Sequence, residues 1–439
     1  MSNKKTVPVN FPVLSRVEGE GALEFNLDQG RIEDLKLRIF EPPRYFEKFL
    51  QGRHYSEVPD IVARICGICP VAYQMTAVQA LESLLVPDMP EDFSLWLQKM
   101  RQVLYCGEWI QSHALHIHLL AAPDLFGFNS AISMAEKYPD IVRRGVTLQA
   151  LGNDIIRLLG ARSVHPVGVK VGGFHKAPDP EAVNKLLEQL EALKKEACEL
   201  VLWLDSLDLP ESRQEFISVS LHNEENYAVY QGRIISNQGL NISCEQYQQY
   251  FKEFQQPQST AFHSHLNGQP YLVGPLARLN NNADQLKPEV RSLAAQLSVD
   301  FPDNNMFNSI IARGIEIYSC ILTAIDLLQD YSPLAQAWQP VRLQAGECSG
   351  ATEAPRGLLW HYYKLDKDGL IIKADIIPPT SQNQARIEQD LQTTLQTYLL
   401  EQPENYSEDK VRHLGEMVIR NYDPCISCAT HFLKLKIND

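Results

Sequence analysis

Two cysteine pairs of identical spacing stand near opposite ends of a 439-residue chain: Cys66-Gly67-Ile68-Cys69 and Cys425-Ile426-Ser427-Cys428. Each pair can aim two soft sulfurs at one ion. If both pairs serve the same ion, everything between them must fold so that the two ends meet. A structural zinc usually nucleates a local fold, whereas this metal would staple a large domain. Spacing alone therefore leaves zinc and a redox metal both open. The other five cysteines, Cys106, Cys198, Cys244, Cys320 and Cys348, follow no pattern and read as small buried hydrophobes. An odd total of nine in so long a chain is no disulfide scaffold and argues for a reducing compartment.

The chain is 44% apolar and 21% charged, which excludes a disordered or low-complexity protein. Its net charge of −14 argues against a nucleic-acid partner. No run of about 18 to 20 uninterrupted apolar residues offers a membrane span; the nearest, Ser309 to Leu328, is broken by Arg313, Glu316 and Asp326. The N-terminal MSNKKTVPVNFPV lacks the apolar core of a signal peptide, so a cytoplasmic location is expected.

The fold class expected is α+β, predominantly helical, in one unit covering 1–439. Residues 7–40 alternate apolar and polar around Asp28-Gln29-Gly30 and read as a small antiparallel sheet. A helical core with the first cysteine pair follows over 41–208, with helices at Ala72–Leu85, Leu95–Leu120, Ala131–Leu159 and Pro180–Leu204. Residues 209–282, rich in Gln, Asn and aromatics, read as a β/loop subdomain with strand-like stretches at Tyr227–Ile235 and Tyr271–Val273. A helical region with the second pair occupies 283–431, including Asn305–Leu328, Asn383–Leu400 and Asp409–Asn421, with a strand at Gly369–Ile377. Residues 432–439 form a possible cleavable tail.

The residues around the cysteines add a resemblance. RICGICPVAYQMTAVQALE (Arg64–Glu82) and DPCISCATH (Asp423–His431) resemble the large, catalytic subunit of nickel–iron hydrogenases. So do SRVEGEG (Ser15–Gly21), YFEKFLQGR (Tyr45–Arg53) and EAPRG (Glu353–Gly357). The five segments follow in family order from residue 15 to 431. Tyr73, Gln74 and the short tail look most like the cytosolic NAD(P)-linked, sulfhydrogenase alpha-subunit branch.

That resemblance implies a large-subunit-like helix bundle with small antiparallel sheets, and reversible heterolytic cleavage of H2. It implies nickel held by Cys66, Cys69, Cys425 and Cys428. Cys69 and Cys428 would also bridge to an iron carrying cyanide and carbonyl ligands. Pro355, Arg356 and Thr380 would line this cofactor, with Asp423 accepting from donors near the cysteines. Asp423 also reads as a turn-initiating residue before Pro424. Cys425 would receive the proton and Glu18 carry it outward; the bland reading of Glu18 is a solvated strand carboxylate. Glu47 and His431 resemble ligands of a magnesium, or second iron, with a carbonyl from near Ile376 or Ile377. The family is usually cleaved after the position of His431, here releasing FLKLKIND.

Partners follow from what is missing. The leftover cysteines are scattered singly and no G-x-G-x-x-G fingerprint appears. The chain would therefore need an iron–sulfur small subunit and FAD/iron–sulfur diaphorase subunits; the resemblance further implies maturation proteins to supply the cyanide and carbonyl and a C-terminal endopeptidase. Several positions depart from the family: Tyr73 and Glu20 stand where many relatives carry histidine, and Ser112 where respiratory relatives carry Asp. His113, His116 and His118 look like a metal cluster but read as structural, as does His165. Two rivals are a quinone-binding complex I relative, which lacks both cysteine pairs, and a zinc-stapled structural subunit of a complex-I-like assembly.

Overall fold

A computed structural model describes residues 7–28, 31–402 and 407–430. His431, the tail 432–439 and Gly30 of the first turn lie outside the described residues.

Strands β1 (Val7–Phe11), β2 (Gly21–Asp28) and β3 (Arg31–Ile39) form the expected antiparallel meander, with Phe11 opposite Leu23 and Leu23 opposite Leu37. The period of two sends Leu23, Phe25 and Leu27 to one face, all buried. That face packs on residues from the far end of the chain, among them Leu391, Leu395, Val411 and Val418. The β3 backbone is also held from there. Ile32 N–H donates to Gln396 at 2.8 Å, and Leu37 N–H to Glu388 at 3.0 Å. The edge is thus covered by side chains instead of another strand. This packing is what brings the two cysteine pairs into one region.

The helical core comprises α1 (Pro70–Leu85), α2 (Glu91–Leu115), α3 (Pro139–Gly160), α4 (Pro180–Asp205) and α5 (Ser309–Gln329). Nearly every α1 side chain is buried, Gln74 and Thr76 included, which marks it as the central helix. α2 and α3 approach closely because glycines face each other. A Cβ on Gly152 would lie 2.5 Å from the Gly107 carbonyl oxygen. Two expected helices are interrupted. Leu95–Leu120 is α-helical only to Leu115, then widens into a π-helical turn over His116–Ala121. Ala131–Leu159 divides into Ala131–Ala135 and α3, because Pro139 starts a new helix. Among the described residues no helix is long and apolar enough to cross a membrane.

Residues 209–282 carry two small sheets: β4 (Val219–His222), β5 (Arg233–Ser236) and β6 (Asn241–Ile242), then the hairpin β7 (Phe251–Gln255) and β8 (Phe262–Leu266). The stretch Tyr227–Ile235 is a strand only from Arg233. Leu272 makes one isolated bridge, to Ser218. The strand expected at Gly369–Ile377 is β11 (Ile371–Ile377), and it closes a sheet whose other strands periodicity did not reveal, β9 (Gly346–Ala354) and β10 (Gly357–Leu365), in the order β9-β10-β11. β9 reads GECSGATEA, small residues without alternation, because it is buried nearly throughout against α1. Thr76 and Thr352 hydroxyls meet at 2.5 Å, and Ala351 N–H donates to Gln79 at 2.8 Å. Helices α6 (Pro379–Glu401) and α7 (Glu408–Asn421) complete the chain up to the second cysteine pair.

Candidate metal centre

Cys66 and Cys69 lie in the loop that starts α1, with Cys69 immediately before Pro70. The Cys66 sulfur accepts the amides of Ile68 and Cys69, both at 3.3 Å. Cys69 offers no side-chain cap to the helix. A carboxyl from α2 substitutes: Glu108 accepts the amides of Val71 at 2.6 Å and Ala72 at 2.9 Å. Burial pushes the Glu108 carboxyl well up, despite those bonds. One turn further, Gln111 donates to the Ile68 carbonyl at 2.5 Å. Helix α2 thus grips the first cysteine loop at two points.

The second pair follows α7. The backbone here leaves the helix through Asp423, whose φ of 52° is left-handed. Cys425 N–H donates to the Thr380 hydroxyl at 3.1 Å. Residue 18 runs alongside as a parallel bridge partner of Cys425, and Ile426 N–H donates to the Glu18 carbonyl at 2.9 Å. Gly19 permits this approach: its φ is 91°, and a Cβ there would lie 2.7 Å from Ile426 Cβ. The Glu18 carboxylate accepts the Cys425 thiol at 3.1 Å and the Ser427 amide at 3.0 Å, and the Ser427 hydroxyl as well.

The four sulfurs converge, each at most 3% exposed. Those of Cys66, Cys69 and Cys428 lie within 4.8 Å of one another. That of Cys425 lies 3.5 Å from Cys66 and 2.7 Å from Cys428. A tetrahedral thiolate site with bonds near 2.3 Å needs sulfurs about 3.7 Å apart; the Cys66–Cys425 separation is close to that, and the Cys425 and Cys428 sulfurs would part by about 1 Å to take a soft ion. The thiols share protons as a unit. Cys66 is held well below the usual thiol range by bonds from Cys425, Cys428 and Cys69. The others are pushed well up: Cys428 first by burial, Cys425 first by its hydrogen bonds with Cys428 and Cys66. Cys69 also rises, against a lowering bond from Cys428, through its bond to Cys66 and burial. A cation bound there would displace the thiol protons.

Pro355 and Arg356 form the two-residue turn between β9 and β10, where Ala354 pairs with Gly357. Arg356 Nε donates to the Asp423 carbonyl at 2.6 Å, and its Nη2 lies 3.0 Å from the Asp423 carboxylate. Its Nη1 is buried without a hydrogen-bond partner, as is the Tyr73 hydroxyl. Asp423 and then the cysteine sulfurs raise the Arg356 guanidinium further against burial, and burial, followed by the same sulfurs, pushes the Tyr73 phenol well up. Two unpaired donors beside four sulfurs fit a bound group that accepts hydrogen bonds.

The other sequence expectations divide. Glu47 accepts the Ile376 amide at 2.7 Å, so this segment presents an N–H to the carboxylate. The expected second ligand, His431, is outside the described residues. The three α2-region histidines are taken up elsewhere: His113 by Glu316 at 2.8 Å, His116 by the Arg420 carbonyl at 2.8 Å, His118 by the Ala114 carbonyl at 3.0 Å. His165 bonds the Ala63 carbonyl at 2.7 Å. Ser112 is fully buried and its hydroxyl has no hydrogen-bond partner.

Several residues that hold the site gave no sequence signal. Arg44 donates to the Ile65 carbonyl at 2.6 Å and the Ser427 carbonyl at 2.5 Å, tying both cysteine loops with one guanidinium. Asp124 pairs with Arg16 and, at 2.7 and 2.9 Å, with Arg420. Arg278 bonds Glu316, Glu353 and the carbonyls of Ala354 and Pro355, lying 4.1 Å over the Trp109 ring. Burial raises Glu353 to about 7, whereas Arg278 holds Glu316 down at about 2 against burial. This clamp fixes the turn that carries Arg356.

The family model for nickel-dependent hydrogenase matches residues 44–144 and 204–431. Sulfhydrogenase 1 subunit alpha of Pyrococcus furiosus is 33% identical over 438 residues, covering 98% of this chain and 99% of that protein. NAD-reducing hydrogenase HoxS subunit beta of Cupriavidus necator is 27% identical, covering 96% of this chain and 94% of that protein. The crystal structure of an NAD+-reducing [NiFe]-hydrogenase in the H2-reduced state superposes with a TM-score of 0.87 at 28% identity. It covers 98% of this chain and 100% of that one.

Proposed function

This chain belongs to the nickel-dependent hydrogenase family and is a catalytic hydrogenase subunit; on that premise we propose that its four clustered cysteines hold a nickel–iron centre for reversible H2 cleavage. The convergence of four buried sulfurs from residues 66–69 and 425–428, with Glu18 against one of them, carries the reading. In it Cys66, Cys69, Cys425 and Cys428 would hold nickel, and Cys69 and Cys428 would also serve an iron bearing cyanide and carbonyl. Bound there, the metals supply the Lewis acidity and redox capacity that split H2 heterolytically.

The chain's own residues do the rest. Cys425 Sγ holds the released proton, and Glu18, within hydrogen-bond reach, accepts it. Arg356 stays charged and keeps Nη1 free for a cyanide nitrogen or for orienting H2. Asp423 fixes that guanidinium through its carbonyl and carboxylate. Thr380 and Pro355 complete the lining: Thr380 sets the Cys425 backbone and Pro355 sets the turn. Glu47, with His431, would hold magnesium or a second iron.

Electrons leave through other subunits. Among the described residues the only group of three or more potential ligands that fits a metal is the cysteine cluster itself. An iron–sulfur small subunit is therefore the acceptor, with FAD/iron–sulfur diaphorase subunits leading to NAD(P) or sulfur. Such final acceptors accord with the names of the sulfhydrogenase and NAD-reducing relatives. Maturation proteins load the metals in the cytoplasm, and an endopeptidase removes residues 432–439. Metal analysis with infrared spectroscopy tests the assignment. Nickel and iron together, with bands of metal-bound cyanide and carbonyl, are expected; zinc alone would overturn it in favour of a structural staple.

A further inference from the structure

Six arginines are buried among the described residues. Five of them are neutralised by carboxylates: Arg101 by Glu82, Arg278 by Glu316 and Glu353, Arg356 by Asp423, Arg386 by Asp390 and Arg420 by Asp124. The sixth, Arg313, lies one turn into α5, is 2% exposed and forms no ion pair among the described residues. Its Nη1 donates to the Ser309 hydroxyl at 2.8 Å and the Ser309 carbonyl at 3.2 Å, and its Nε is buried without a hydrogen-bond partner. A buried charge left without a counter-charge is costly.

Its surroundings point to where that counter-charge arrives. Arg313 and Arg356 line one internal cavity of about 20 Å³, with Asn421 and Tyr422 in the same wall. The Ser309 hydroxyl that Arg313 holds donates in turn to the Asn421 side chain at 2.7 Å. Asn421 and Tyr422 lead directly into Asp423 and the second cysteine pair. Arg313 therefore stands beside Arg356 and against the segment that launches Cys425.

Four thiolates around one divalent nickel leave a net negative charge, and cyanide on iron adds to it. Arg356 does not offset that charge alone, because Asp423 already neutralises it. We propose that Arg313 is the counter-cation of the loaded metal centre, a buried guanidinium kept free of carboxylates whose charge balances the cluster and raises its reduction potential. Burial lowers Arg313 to about 10, opposed by Asp423 and Glu316 and aided by Arg356, so it stays charged at neutral pH. The inference rests on the nickel–iron reading and deepens it.

The test compares the purified, metal-loaded complexes of the parent, Arg313→Gln, Arg313→Lys and Ser309→Ala. Infrared spectra of the cyanide and carbonyl bands are followed through a redox titration. Arg313→Gln should lower the midpoint potential and move the carbonyl band to lower wavenumber, because a weaker positive field leaves more electron density on the metals. Arg313→Lys should return both towards the parent, and Ser309→Ala should leave both unchanged. Parental bands and potential in Arg313→Gln would overturn the proposal. Equal shifts in Arg313→Gln and Arg313→Lys would do the same, as would a shift in Ser309→Ala as large as in Arg313→Gln, because the side chain would then act by shape and not by charge. If Arg313→Gln folds but does not retain nickel, retention restored in Arg313→Lys supports the proposal, and loss in both overturns it. Absent bands in the parent would sink the nickel–iron reading and this proposal with it, whereas parent bands that no variant shifts sink the proposal alone.

Discussion

The Cys425 thiol donates to the Glu18 carboxylate across 3.1 Å, although 407 positions separate them. The second carboxylate oxygen takes the Ser427 hydroxyl, so the carboxylate is oriented before any proton arrives. Glu18→Gln preserves the shape and removes the basic site. Isotope exchange between H2 and solvent should fall by about 10²- to 10⁴-fold, the usual worth of a positioned base, while infrared bands of the metal ligands stay unchanged. Exchange at the parent rate would remove Glu18 from the proton path.

Arg44 joins the two cysteine loops through the carbonyls of Ile65 and Ser427. Hydrogen bonds to a charged donor contribute about 1.5–3 kcal/mol each. Arg44→Met should lower unfolding stability by about 2–4 kcal/mol in urea and release nickel faster to a chelator. Arg44→Lys, a point charge without the fork, should recover only part of the metal retention.

Asp124 is 8% exposed and neutralises two guanidiniums from opposite ends of the chain. Asp124→Ala takes the shared carboxylate from both, leaving Arg420 with Glu416 and Arg16 with the Leu120 carbonyl; breaking a buried pair in this way costs about 3–5 kcal/mol. The double variant Asp124→Leu with Arg420→Met should be less destabilised than Asp124→Ala alone. Chemical denaturation of these proteins and of the single variants Asp124→Leu and Arg420→Met decides this; strictly additive losses would show that the node carries no coupling.

His118 stacks on Trp203 and, chiefly through burial, is depressed to about 3 from an ordinary 6.5. Between those values the unfolded chain binds this proton and the folded one does not. Its contribution is therefore complete above pH 6.5 and is lost as pH falls towards 3. Glu353 and Glu108 shift the other way, so the net curve mixes signs. The difference between parent and His118→Phe isolates one group. The parent should lose about 1.4 kcal/mol per pH unit relative to the variant from pH 6 downwards, measured by urea midpoints.

The sequence showed the helices and the cysteine pairs for the same reason: both are regular patterns within a short window. It also showed Glu18 and Arg356, through the segments that flank them. The β9–β10 hairpin stayed hidden because a strand buried on both faces loses its alternation, as GECSGATEA does. The break at His116 stayed hidden because a π-helical turn keeps helical composition. Arg44, Asp124 and Arg278 were illegible for another reason. Each acts through carbonyls or charges more than 20 positions away, and no local pattern records a partner that distant.

Because the N-terminal meander rests on α6 and α7, and Glu18 pairs with the strand segment at Cys425, the pocket needs nearly the whole polypeptide to exist. A ribosome must finish residue 428 before any ion can find all four sulfurs. On the proposed assignment, metal insertion then has to follow synthesis of nearly the whole chain.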